Sequence, residues 1–147
     1  MVIEGLSVDK IKTISKLKQE TEDVLDFRLK SYEKFKNMPL PSFGPSLDID
    51  FVKIIYYASD DNKINSSWDS INKNITDEFK NLGVIESEKN LDGMGVQYES
   101  EVIYHNMIKE LEEKNVIFTS IEVAIKKYPD LVKKYFGKIV SYTENKF

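Results

Sequence analysis

Eight residues, Met38 to Pro45, hold three of the four prolines of this 147-residue chain together with a glycine: MPLPSFGP. Each proline fixes φ, has no amide hydrogen to donate and pushes the residue before it out of the α region. No helix or paired strand can run through such a stretch, so the chain must turn or extend here. Regular elements are confined to either side of it.

Upstream, Leu6-Ser7 followed by Ile11 fits an N-cap with a hydrophobic staple, and Ile11, Ile14 and Leu17 recur at helical spacing, which predicts a helix over about 7–20. Thr21 can cap a second helix with an acidic first turn, Glu22 and Asp23, and a stripe of Leu25, Leu29, Tyr32 and Phe35 that ends before Pro39. Downstream, Val52, Ile54, Ile55, Tyr56 and Tyr57 predict a short strand, followed by a polar loop, Asp60 to Ser66. Trp68, Ile71, Ile75, Phe79 and Leu82 fall at spacings of three and four and stop at Gly83, which predicts a buried helical stripe with a glycine closing it. A short helical turn is expected over 86–90. Near the end, Asn115 to Phe118 is a strand candidate, and Thr119 with Glu122 matches a capping box. Ile121, Ala124, Ile125 and Tyr128 form the buried side of the helix that follows. Pro129 suits the first position of another, running through Leu131, Val132, Tyr135 and Phe136 to Gly137. The last residues, SYTENKF, carry no core pattern. The expected fold is mainly α with a few short β-strands (α+β). It is expected to divide into an N-terminal helical arm and extended segment over 1–63, a compact helical subdomain with a short strand over 64–140, and a tail over 141–147.

Composition excludes several functions. The chain has no cysteine, which removes disulfides, thiolate nucleophiles and the usual zinc or iron-sulfur ligand sets. A net charge of −4 argues against general nucleic-acid binding, which needs clustered positive charge. Lys126, Lys127, Lys133, Lys134 and Lys138 form one basic zone that reads as a solvated helix face, and Arg28 is the single arginine beside twenty lysines. No apolar run is long enough to cross a bilayer, and the first residues do not resemble a signal peptide, so the expected location is the cytoplasm and no membrane partner is expected.

The densest collection of chemical groups is GMGVQYESEVIYHNM, Gly93 to Met107, with His105 the only histidine. Gly93 and Gly95 complete neither GxGxxG nor GxxxxGK[ST], because Tyr98 stands at the third glycine position, so they read as backbone devices. Ser100 can cap a helix carrying Ile103, Met107, Ile108 and Leu111 on one face as far as about Lys114, with His105 roughly opposite that face. Glu99, Glu101 and His105 make a metal or acid-base site only if folding gathers them in one protected cleft. Ser100 lacks the GxSxG elbow of a nucleophilic serine. No convincing catalytic set emerges.

Several segments, in order, resemble the N-terminal region of the SufB family of the SUF iron-sulfur cluster assembly system: DFRLKSYEKFKNMPLPSFGP, IIYY, SSWDS, EFKNLGV, GVQYESEVIYHN, NVIF and AIKKYPDLVKKYFGKIV. The resemblance spans nearly the whole chain, although Asn72 and Ile85 stand where the family pattern often has proline. It implies an N-terminal fragment that stops about where the family's large right-handed β-helix core begins. It further implies an intact scaffold protein that builds iron-sulfur clusters with SufC, a SufD-like subunit and a cysteine desulfurase sulfur donor. By the same resemblance, the family's sulfur-accepting and cluster-associated cysteines and its SufC-contacting segment lie in or after that core. The region here is therefore expected to dock or organise the complex and not to catalyse, with no cofactor, metal or catalytic residue of its own. Tyr56, Tyr57, Tyr98 and His105 are its candidate partner contacts. The alternative is a small stand-alone enzyme or ligand-binding domain using Glu99, Glu101 and His105.

Overall fold

A computed structural model of the chain describes residues 1–46, 48–59, 64–88 and 90–146. In chain order its elements are β1 (Val2–Glu4), α1 (Val8–Leu17), α2 (Glu22–Asn37), β2 (Ile55–Ala58), a 3-10 turn (Trp68–Ser70), α3 (Lys73–Asn81), α4 (Val84–Glu88), β3 (Gly93–Tyr98), β4 (Glu101–Met107), α5 (Lys109–Glu113), α6 (Ile121–Lys127) and α7 (Pro129–Tyr135). Helices dominate and the strands form two two-stranded sheets, β1 with β2 and β3 with β4, so the fold is mainly α with a few short strands. Between Asn37 and Ile55 the described residues form no helix or strand, as the prolines require. The segment 60–63, where the sequence places the boundary between arm and subdomain, lies outside the described residues.

The chain folds as two compact units, one made of Met1–Val2 and Tyr57–Ser120, the other of Ile3–Tyr56 and Ile121–Phe147. In the second unit Ser7 caps α1, its hydroxyl accepting from the Lys10 amide at 3.2 Å, and Ile11 and Ile14 are buried as their spacing predicts. Thr21 precedes α2 without a side-chain cap bond; acidic Glu22 and Asp23 and basic Lys34 and Lys36 still match the two ends of the helix dipole. Gly5 bends the chain with φ of 63°, and its amide donates to the Ile54 carbonyl at 2.8 Å. The corner between α1 and α2 is fixed by a bidentate pair in which Arg28 donates Nε to Glu20 Oε2 at 2.8 Å and Nη2 to Oε1 at 2.6 Å. Against this corner sits α6, through Lys18 to Glu122 at 3.0 Å and Lys126 to Gln19 at 3.0 Å. Pro129 opens α7 as expected. Phe27 of α2 then meets Phe136 with ring centroids 4.9 Å apart and Tyr142 at 5.2 Å. The tail over 141–146 is thus anchored by contacts that an apolar-periodicity reading does not register.

The first unit departs most from the sequence reading. Trp68 lies in a 3-10 turn, and the α-helix begins only after Asn72, whose side chain accepts from the Asn74 amide at 3.0 Å. Ile75 is buried, whereas Leu82 is 76% exposed, because α3 ends at Asn81 and Gly83 turns the chain away with φ of 73°. The helix expected from Ser100 to Lys114 is instead strand β4 followed by the short α5. Asn115 to Phe118, expected as a strand, forms none, and Val116, Ile117 and Phe118 are exposed.

Strands β3 and β4 form an antiparallel hairpin with Tyr98 opposite Glu101, Gln97 opposite Val102, Val96 opposite Tyr104 and Gly95 opposite His105. The register skips Ile103, so Ile103 and Tyr104 together face Val96 in a bulge. The bulge explains why two consecutive residues are buried, Ile103 at 1% exposure and Tyr104 at 2%, where regular alternation would bury only one. With Ile75 and Val96 they make the core of this unit, and Trp68 stacks on Tyr104 at 4.3 Å between centroids and 14° between planes. Asn65 runs parallel beside β4: its amide donates to the Ile103 carbonyl at 2.9 Å and its carbonyl accepts from the His105 amide at 3.0 Å.

Candidate functional site

The hairpin gathers most of the residues singled out from the sequence but divides them between two faces. At its tip Glu99 and Ser100 form a two-residue loop, with Glu99 at φ of 54°, the positive value that a tight twisted hairpin needs at its first loop position. Gln97 Nε2 donates to the Glu99 carbonyl at 2.9 Å and braces the loop. Ser100 completes a reciprocal bond with Ala58, its hydroxyl accepting from the Ala58 amide at 3.0 Å and its amide donating to the Ala58 carbonyl at 3.0 Å. Ser100 is therefore a tie between the hairpin and the 57–58 segment, not a helix cap. Beside it the Tyr57 hydroxyl donates to Glu101 Oε1 at 2.7 Å, and Tyr57 is 5% exposed. That carboxylate is engaged by a buried phenol.

The opposite face carries His105. Because Glu101 pairs with Tyr98 while His105 pairs with Gly95, and the bulge lies between, the two side chains leave the hairpin on different sides. Glu99 is exposed at the loop. The structure does not bring Glu99, Glu101 and His105 into one cleft. Among the described residues no group of three or more histidine, aspartate or glutamate side chains is placed to hold a metal ion.

His105 instead lies against Phe118, ring centroids 5.0 Å apart, with its Nε2 shielded from solvent and without a hydrogen-bond partner among the described residues. A side-chain carbon at Gly93 would come within 3.1 Å of the Phe118 ring, and one at Gly95 would stand 3.9 Å from Phe118 Cζ and 4.0 Å from His105 Cδ2. The two glycines therefore leave a flat strip on which Phe118 rests, 42% of it exposed to solvent. As backbone devices the two glycines serve a close approach inside a strand, with an aromatic ring as the neighbour, and neither has a positive φ. Phe118 is the residue the sequence reading missed. Its signal was the alternation of two glycines on one strand face, which leaves a place for a ring from elsewhere in the chain.

Tyr56 and Tyr57 are neighbours in β2 with different surroundings. The Tyr56 hydroxyl is shielded from solvent with no hydrogen-bond partner among the described residues, and that burial, followed by the nearby Tyr32 phenol, holds its pKa above the ordinary phenol value. Tyr56→Phe should leave stability unchanged or raise it by up to about 1 kcal/mol, since an unmatched buried polar atom is removed. Tyr57→Phe should lower stability by about 1–2 kcal/mol, since it removes the bond that the buried phenol donates to the Glu101 carboxylate. Urea denaturation of the two variants checks the opposite signs. The raised Tyr56 value adds a pH test: its contribution is intact below the unfolded phenol pKa and is lost as pH rises through the folded one. Wild-type stability should accordingly fall faster above pH of about 10 than that of Tyr56→Phe.

No protein-family model matches the chain, and no solved structure matches it. Curated proteins do. Iron-sulfur cluster assembly SufBD family proteins from Staphylococcus aureus strains USA300 and NCTC 8325 are each 44% identical to it over 145 residues, covering 97% of this chain and 31% of the relative. One from Staphylococcus haemolyticus is 43% identical over the same coverage. The chain spans 31% of the length of these relatives. At this identity over 97% of its residues, the chain is homologous to SufBD family proteins of iron-sulfur cluster assembly.

Proposed function

We propose that this chain is a SufB-like region of an iron-sulfur cluster assembly scaffold and serves in docking or organising the SUF complex in the cytoplasm rather than in catalysis. The observation that carries this reading is the 44% identity, over 97% of the chain, to SufBD family proteins. Two features of the chain support its non-catalytic part. It contains no cysteine to hold sulfur or iron, so any cysteine ligands of a cluster in the intact protein lie outside these residues. Its densest group of reactive side chains is engaged within the fold, with Glu101 bonded by Tyr57 and one side of His105 packed against Phe118.

The expected partners are SufC, a SufD-like subunit and a cysteine desulfurase sulfur donor. Of the four candidate contact residues, Tyr57 is buried and bonded within its own unit, while Tyr56, Tyr98 and His105 are half-buried and retain surface for a neighbour. Photo-crosslinking groups placed at these three positions in the complete SUF assembly should capture one of the named partners. Removing the region should slow cluster build-up on the scaffold at least several-fold. Cluster formation at an unchanged rate without the region, and no crosslink from any of the positions, would reject the proposal.

A further inference from the structure

Within residues 141–146 only Tyr142 and Lys146 are half-buried, and the other four are exposed. Both reach α2. Tyr142 meets Phe27 edge-on, at 86° between ring planes. Eight residues further along the helix, Phe35 stands at 88° to Phe51 with centroids 5.1 Å apart. The Lys146 ammonium lies 4.9 Å from the Phe35 centroid and 5.2 Å from that of Phe51, and it donates to the Met38 carbonyl at 2.9 Å.

The spacing of the two plugs fits the spacing of the two sockets. Eight helical residues rise about 12 Å, and four residues of extended chain reach up to about 13 Å. A turn, in which the Glu144 amide donates to the Ser141 carbonyl at 3.2 Å and the Ser141 and Thr143 hydroxyls meet at 2.8 Å, shortens the strap and shapes it. The long lysine side chain makes up the difference. The second socket is chemically selective. Two ring faces attract a cation, and Met38, which caps the C-terminal end of α2, adds a carbonyl at the negative end of a 16-residue helix. An ammonium on an alkyl stem satisfies all of these, because its charge meets the rings and carbonyl while its stem covers apolar surface. The link to the strap is held by no buried side chain, since Ile139 is 92% and Val140 70% exposed.

We propose that the face of α2 from Phe27 to Phe35, with Phe51, is a peptide-recognition groove for a segment carrying an aromatic residue and, four positions later, a lysine. The chain's own Tyr142 and Lys146 fill it in the free state. A partner segment with the same pair takes both sockets and releases the strap, so the strap sets a threshold that a partner must exceed.

The probe is a labelled synthetic peptide with the sequence of residues 139–146. The Tyr142→Ala, Lys146→Ala double variant of the chain, which lacks both strap side chains, should bind the peptide at least about tenfold more tightly than wild type, whose own strap competes at high effective concentration. Lys146→Gln in the peptide should weaken binding by about tenfold, whereas trimethylation of that lysine, which keeps the charge but removes the bond to Met38, should cost only a few-fold. In the wild-type chain, excess peptide should sharpen the amide resonances of residues 143–145 as the strap comes free. That reading holds even where the double variant folds poorly. The proposal is overturned by a double variant with wild-type circular dichroism that takes up no peptide, by binding indifferent to the lysine, or by unchanged strap resonances at saturating peptide. Dimerisation of the wild-type chain without peptide uptake would also overturn it, by assigning the sockets to a second copy.

Discussion

Tyr104→Ala should destabilise the unit containing the β3–β4 hairpin by about 3–5 kcal/mol, the range for truncating a fully buried aromatic side chain. Tyr104 is 2% exposed and stacked on Trp68, so the substitution removes both its burial and a ring pair worth about 0.5–1.5 kcal/mol beyond area alone. The cavity would open beside Ile103 and Ile75, at the centre of a core of four buried residues, where little else can move in to fill it. Trp68 is the only tryptophan, so its fluorescence during urea denaturation reports this unit specifically. Ile103→Val, which removes one methylene at a site 1% exposed, is the calibrating variant and should cost about 0.5–1.5 kcal/mol. A loss below 1 kcal/mol for Tyr104→Ala would mean that the stack is not the keystone of this core.

Gly137→Ala should have the next largest effect, a loss of about 2–5 kcal/mol in the other unit. Two penalties combine there. Gly137 has φ of 67°, where an L-residue with a Cβ is strained by about 1–2 kcal/mol. An added Cβ would also stand 2.6 Å from Phe27 Cε2, inside contact distance, and overpacking of that kind costs about 1–3 kcal/mol. The ring cannot swing away freely, since Phe136 and Tyr142 hold it on two sides. Phe27→Leu in the same chain should return the clash component and leave the backbone component, so a double-mutant cycle separates them. Hydrogen exchange across α2 and α7 is the appropriate readout, because the lone tryptophan lies in the other unit. Full tolerance of alanine at this position would contradict the close approach.

What was legible in the sequence was local. Ser7, Pro129, Gly83 and Gly137 each act on their own few residues, and each does in the structure what its chemistry requires. The hairpin was illegible for an identifiable reason. Ile103, Met107, Ile108 and Leu111 fall at helical spacing by coincidence, while the bulge places Ile103 and Tyr104 side by side and erases the period of two that marks a strand. Its turn, Glu99-Ser100, carries none of the Asn-Gly or Asp-Gly chemistry that announces a hairpin. Asn115 to Phe118 shows the reverse error: three apolar residues suggested a strand, but Phe118 spends its ring on the glycine strip and the segment pairs with no sheet. The tail escaped notice because one ring and one ammonium make no apolar rhythm. Among the candidate site residues, Tyr98, Glu99, Glu101 and His105 are visibly close in sequence; their division between the two faces of a hairpin could not be read there, because it depends on a single bulged residue.

The order in which the residues belong to the two units has a bearing on synthesis. Residues 57–120 interrupt the other unit, so Phe27 emerges from the ribosome long before the Phe136 ring that covers it. At translation speeds of about 5–20 residues per second, α2 waits on the order of 5–20 s with its aromatic side uncovered, while the interrupting unit has all but two of its residues in one continuous run and can complete itself first. Nascent α2 is therefore the stretch on which a chaperone has the longest opportunity to act.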